Sequence, residues 1–197
     1  PRAAVSIGRD RLDAAALAGH SVVLEGRFQP EKTIFIDNRT HRGVAGFHVM
    51  TPVTIPGSEW QVMVLRGWVA ANPRERTRLP EIRTPDGPVR VSGTVEPDLG
   101  RALELKASSP PGPGDRLWQN FDAARYEAWA GVRLQAFVVR QSAGTAVDDG
   151  LVREWRSVAG DVDKHRGYAA QWLAMALASA VVIVVLALGL RRGDRPH

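Results

Sequence analysis

From residue 21 to residue 96 the chain is a series of short apolar runs cut by turn residues, the pattern of successive β-strands rather than of helices. The runs are Ser21–Phe28, Lys32–Asp37, Val44–Ile55 with Pro52 as an interruption, Trp60–Ala70 and Val89–Glu96. Alternation is strictest in the last, where Val89, Val91 and Gly93 stand against Arg90 and Ser92. Pro30-Glu31, Pro56-Gly57 and Pro85-Asp86-Gly87 break the runs, because proline lacks a ladder donor and glycine accepts turn conformations. The spacing predicts an antiparallel sheet that curls on itself, a small β-barrel-like domain.

Helical signals are few. Arg11–Ala18 reads as a short helix closed by Gly19, inside a lead-in of residues 1–20 that looks like a tether. Asp122 can cap a helix that runs to Ala130 and stops at Gly131, with Tyr126, Trp129 and Ala130 on one side to cover the sheet. Arg133–Arg140 then reads as a last strand buried on both faces, and the Pro- and Gly-rich Ser108–Arg116 as an exposed loop. The fold class expected is mainly β (α+β), with one or two covering helices on a soluble domain over residues 21–163.

The pattern changes at Trp172. Trp172–Leu190 holds 19 residues without a charge, and only Ser179 and Gly189 are not hydrophobic. As a helix it would cover about 28 Å, close to the ~30 Å hydrocarbon core of a bilayer, and a helix apolar on every side is a membrane span. Residues 164–190 are therefore predicted as a juxtamembrane turn and transmembrane helix, and residues 191–197 as a basic tail.

The net charge of +5 brings nucleic acid to mind, but the tail RRGDRPH alone supplies +2 and the remaining Arg residues are interspersed with Asp and Glu. No basic patch with stacking aromatics results, so no nucleic-acid partner is expected. The chain has no cysteine, which excludes disulfides, thiolate metal sites and Cys nucleophiles. Met50, Met63 and Met175 form no soft-ligand cluster for copper. There is no G-x-S-x-G elbow, phosphate-binding G-x-x-x-x-G-K-[ST] loop or H-E-x-x-H, and no two histidines have an i, i+4 spacing. Asp148 and Asp149 read as a turn before Gly150. No enzymatic activity is expected.

Three groups of residues are candidates for more than packing. Arg66-Gly67-Trp68 ends an apolar strand, where Gly permits a bulge and Trp is ordinarily core; Arg66 could face a partner or pair with a carboxylate that holds the barrel closed. Asn38-Arg39 reads as a turn with local hydrogen bonding. On a helix that begins by Lys164, residues His165, Tyr168, Trp172, Met175 and Ser179 form one stripe that could receive a lipophilic ring, with imidazole as an axial ligand for haem iron. The alternative is that Tyr and Trp gather at membrane interfaces in any case. Ala170, Ala174 and Ala178 make a small-residue face that either lets another helix approach or reflects the abundance of alanine in such helices.

The segment KHRGYAAQW, with His165, Tyr168, Ala169 and then Gln171-Trp172 entering the apolar helix, resembles the Surfeit locus protein 1 family of cytochrome oxidase assembly factors. In the same order the family pattern is met by Leu24-Glu25-Gly26, Asp37-Asn38-Arg39, Gly46-Phe47 with Thr51-Pro52, Val64-Leu65-Arg66-Gly67-Trp68-Val69, and Asp149-Gly150-Leu151 with Trp155. The resemblance implies a domain on the periplasmic side of the bacterial inner membrane, a first transmembrane helix ahead of residues 1–20, and a haem-copper oxidase core subunit as partner. It also implies that haem a is presented by His165, Tyr168 and Trp172, with Lys164 or Arg166 near the propionates, and it makes Asn38, Arg39 and Gln171 candidate surfaces. Charge alone does not orient the chain: Arg153, Arg156, Lys164 and Arg166 lie before the helix against Arg191, Arg192 and Arg195 after it, four to three. The competing expectation is a permanent accessory subunit of a respiratory oxidase without a cofactor.

Overall fold

The computed structural model describes residues 3–75, 77–97, 114–144 and 148–155, together with residues 171, 172, 175, 176 and 179. The chain divides into two compact units, Pro1–Glu154 and Trp155–His197.

Among the described residues the first unit has eight strands: β1 (Val5–Ile7), β2 (Ser21–Phe28), β3 (Ile34–His41), β4 (Val44–Thr54), β5 (Trp60–Ala70), β6 (Val89–Glu96), β7 (Leu117–Trp118) and β8 (Arg133–Gln141). Five of them, in the order β2, β6, β8, β5, β4, close into a barrel because β4 pairs back onto β2 at Arg27↔Thr54 and Phe28↔Val53. β1 extends the sheet beyond β2, and β3 and β7 extend it beyond β4. The barrel expected from the sequence is present, but the sheet is not purely antiparallel. β5 and β8 run parallel, as do β1 with β2 and β3 with β7. A parallel neighbour cannot be reached by a hairpin, so β8 arrives only after the chain has crossed back through α2.

Pro52 does not interrupt β4. In a strand, a residue's N–H and C=O point to the same side, and the Pro52 carbonyl accepts from the Gln29 amide at 3.0 Å. The missing donor therefore lies on the edge where β4 leaves β3, its partner up to Met50, for β2, its partner from Val53. A proline is tolerated where the ladder already has a gap.

The barrel interior is filled by Val22, Leu24, Phe28, Val53, Val62, Val64, Val91, Val95, Phe137 and Val139, all at most 7% exposed. Residues 1–20 are more than a tether. Ile7 joins this cluster, Leu12, Ala14 and Leu17 pack against it, and the buried Gln135 side chain accepts from the Leu12 amide (3.0 Å) and donates to the Asp10 carbonyl (2.7 Å). Helix α1 is shorter than expected, Ala14–Leu17, because the Asp13 side chain caps it by accepting from the Ala15 amide.

Helix α2 (Ala123–Ala130) has the expected ends, Asp122 accepting from the Arg125 amide and Gly131 in the left-handed conformation. Its Tyr126 is fully buried among Trp118, Phe121 and Trp129, and its hydroxyl donates to the Lys32 carbonyl. Burial raises the Tyr126 pKa, so the hydroxyl stays a donor. A second apolar cluster lies outside the barrel, where Phe35, Phe47, Val49 and Leu151 are joined by Leu79 and Ile82.

The interior cluster predicts a contrast measurable by denaturant unfolding of the purified chain. Leu24→Ala, at a site 1% exposed, should cost about 2–5 kcal/mol, whereas Val44→Ser, at a site 51% exposed, should cost less than about 0.5 kcal/mol.

Candidate functional site

On β5 the ladder to β4 steps from Gly67↔Val49 to Leu65↔Met50, so Arg66 has no partner residue and forms a bulge. The bulge turns a charged side chain into the protein, where it is 1% exposed. Of the two readings of Arg66, the structure shows the pairing with a carboxylate. Its guanidinium stacks 4.6 Å from the Phe28 ring centroid and donates to Thr84 Oγ1 (2.7 Å), the Arg83 carbonyl (3.0 Å) and Asp149 Oδ2 (3.0 Å). Asp149, likewise 1% exposed, receives Arg153 on the same oxygen, and its Oδ1 accepts from the Leu151 amide at 3.2 Å. Burial lowers the Arg66 pKa against the opposing pull of Asp149, and the guanidinium remains charged.

This cluster fastens a strap, residues 149–154, alongside the end of β5. Trp68 and Val152 exchange two backbone hydrogen bonds of 2.8 Å, an isolated antiparallel bridge. Gly67 lets the strap come this close: a Cβ there would stand 2.7 Å from Leu151 Cβ and 3.0 Å from the Val152 carbonyl.

Trp68 is the next anchor. Its indole N–H donates to the Arg39 carbonyl at 2.7 Å, and its ring lies over Gly46, where a Cβ would sit 2.5 Å from the ring. The Arg39 carbonyl is aimed by a second bulge. β3 pairs Ile36↔His48 and then Arg39↔Gly46, and the extra residue is taken up at Asn38, whose φ is 57°, with the Asp37 carboxylate accepting from the Asn38 amide at 2.6 Å. Asn38-Arg39 is therefore not a turn between strands but a bulge inside one; the local hydrogen bond expected there is present.

Two histidines border Trp68. His41 stacks on the indole with centroids 5.1 Å apart, and its Nε2 lies 3.4 Å from Glu154 Oε2, which also accepts from Arg42 at 2.7 Å. His48, paired across the sheet with Trp68, has its pKa pushed down to about 4 by burial and by the Arg39 charge. Burial also lowers the Arg39 pKa. Sequence reading singled out Asn38, Arg39, Arg66, Gly67 and Trp68, and the structure brings these five together. It missed Asp149, Arg153, His41 and Glu154. The Asp149 carboxylate was taken for part of a turn because nothing in its neighbourhood marks it as buried; Gly150 does turn, with φ 73°.

The remaining candidates fall largely elsewhere. His165, Tyr168, Ala170, Ala174 and Ala178 lie outside the described residues, as does most of the expected membrane span; among the described residues no helix is long and apolar enough to cross a membrane. Gln171, Trp172, Met175 and Ser179 are helical, and Ser179 Oγ donates to the Met175 carbonyl at 2.9 Å. Trp172 is 68% and Met175 49% exposed, and the two stand three residues apart on one side of the helix. Of the residues that the resemblance implies for haem, only Trp172 lies among the described ones. The expected iron ligand, His165, falls outside the described residues, and no group of three or more His, Cys, Asp or Glu among those described could hold a metal ion.

The class defined is a closed five-stranded mixed barrel with a strap bridged to the end of β5 and held through a buried ion cluster. Residues 2–177 match the SURF1 family, and the chain belongs to it; the family is one of assembly factors associated with cytochrome c oxidase. No curated protein matches the chain in sequence.

Two predictions follow from this geometry. Asp149→Ala leaves two buried guanidinium groups without a counter-charge and should cost about 3–5 kcal/mol by denaturant unfolding, well above the cost of Arg153→Met, which leaves the Arg66–Asp149 pair intact. The depressed His48 pKa means that between pH ~6.5 and ~4 the unfolded chain binds a proton that the folded chain does not. Stability is therefore full above pH ~6.5 and falls by about 2–3 kcal/mol toward pH 4. His48→Gln should flatten that part of the melting temperature against pH curve.

Proposed function

We propose that this chain is a haem-copper oxidase assembly factor that presents haem a to the oxidase core subunit. In this reading the domain stands on the periplasmic side of the bacterial inner membrane, anchored through Trp172–Leu190 and preceded by a first membrane helix. Family membership supports the oxidase assignment, and the observation that carries the haem assignment is the exposure of Trp172 and Met175 within the matched residues. Haem a, if bound, would supply a redox-active iron that accepts a nitrogen ligand.

The chain's own residues then divide the work. His165 would offer its imidazole to the iron, Tyr168 and Trp172 would offer flat apolar faces, and Lys164 or Arg166 would meet the propionates. Gln171 and the small-residue face Ala170, Ala174 and Ala178 give the partner helix a place to approach closely. The barrel keeps its buried charges to itself, so its contribution to partner recognition is the outer rim, where Asn38 and Arg42 are exposed.

The test is absorption spectroscopy of the protein purified from cells that make haem a. His165→Ala should lower the haem content at least tenfold while leaving the yield of folded barrel unchanged. Undiminished haem would remove His165 from the mechanism, and stoichiometric retention of the chain in the mature, active oxidase would replace the assembly role with that of an accessory subunit.

A further inference from the structure

The ion cluster beneath the strap is unbalanced. Arg66 and Arg153, 1% and 7% exposed, converge on one oxygen of Asp149, so the three described groups carry two positive charges against one negative, withdrawn from water. Of the other carboxylates on and beside the strap, Asp148 is exposed, and Glu154 is exposed and engaged by His41 and Arg42. Asp149 has little accepting capacity left: Oδ2 takes both guanidinium groups and Oδ1 takes the Leu151 amide.

The donors are unbalanced in the same sense. Arg66 spends its terminal nitrogens on Thr84, the Arg83 carbonyl and Asp149, yet its buried Nε–H meets no acceptor. The buried Nε–H of Arg153 also meets none. Buried N–H groups on cations are rarely left unmatched, because each forfeits its hydration without replacement, and an excess positive charge in low dielectric makes an anionic acceptor worth more than a neutral one. Among the described residues, none supplies such an acceptor to either Nε–H.

We infer that the Arg66–Asp149–Arg153 cluster is an anion site, taking one small inorganic anion of the chloride class at the Nε edges of the two arginines. The anion brings the cluster to neutrality and gives the orphaned donors an acceptor. Because Arg153 belongs to the strap and Arg66 to β5, the ion also becomes part of what holds one to the other. This inference does not depend on haem or on the membrane.

The test uses the purified full chain in detergent with two independent readouts. In the first, melting temperature is followed while sodium bromide replaces sodium gluconate at constant ionic strength. Each tenfold rise in bromide above half-saturation should raise it by about 3–6 °C. Arg153→Met, which leaves a neutral Arg66–Asp149 pair, should abolish the rise. Equal melting temperatures in bromide and gluconate would overturn the proposal. In the second, bromide-soaked crystals of the unsubstituted protein should show anomalous density within hydrogen-bond reach of Arg153 Nε. Water there, or bromide only on the exposed arginines, would overturn it even if the variant fails to fold.

Discussion

Two guanidinium groups withdrawn from water, those of Arg66 and Arg153, share the carboxylate of Asp149. Separating any one of the three from the others would strand a buried charge at a cost of several kcal/mol, so the strap that carries Asp149 and Arg153 cannot lift from the barrel by degrees. Much else is built around that constraint. The bulge in β5 exists at the residue whose side chain must turn inward, and Gly67 beside it clears the space in which the strap lies.

The surroundings of Trp68 follow the same logic at lower stakes. Trp68 is held at both ends, by its backbone to Val152 and by its indole N–H to the Arg39 carbonyl, and the carbonyl is in place because Asn38 accepts a left-handed backbone. One aromatic residue thereby ties β3, β5 and the strap together. His48 stays neutral beneath it, since burial and Arg39 both oppose its protonation, whereas His41 stands against the Glu154 carboxylate. The strap is thus clamped by charge inside and by a softer polar contact at the rim.

The division between what was legible and what was not runs along the range of the interactions. Strands β2, β5 and β6 fall where alternation placed them, and α2 lies between Asp122 and Gly131, because apolar periodicity and caps are properties of neighbouring residues. The resemblance was legible as well, since its motifs are contiguous. The parallel pairing of β5 with β8, the edge strands β1 and β7 and the role of Pro52 were not, because each depends on which distant strand lies alongside.

By itself, then, the sequence determined the β-rich character of the domain, most of its elements, its family and the residues Arg66, Gly67 and Trp68 as a point of interest. Tertiary structure alone decided that Arg66 turns inward rather than toward a partner, and that its carboxylate is Asp149, 83 residues away. An acid in a turn and an acid in a core look alike along the chain. What separates them is the low dielectric and the second arginine that folding brings to one of them.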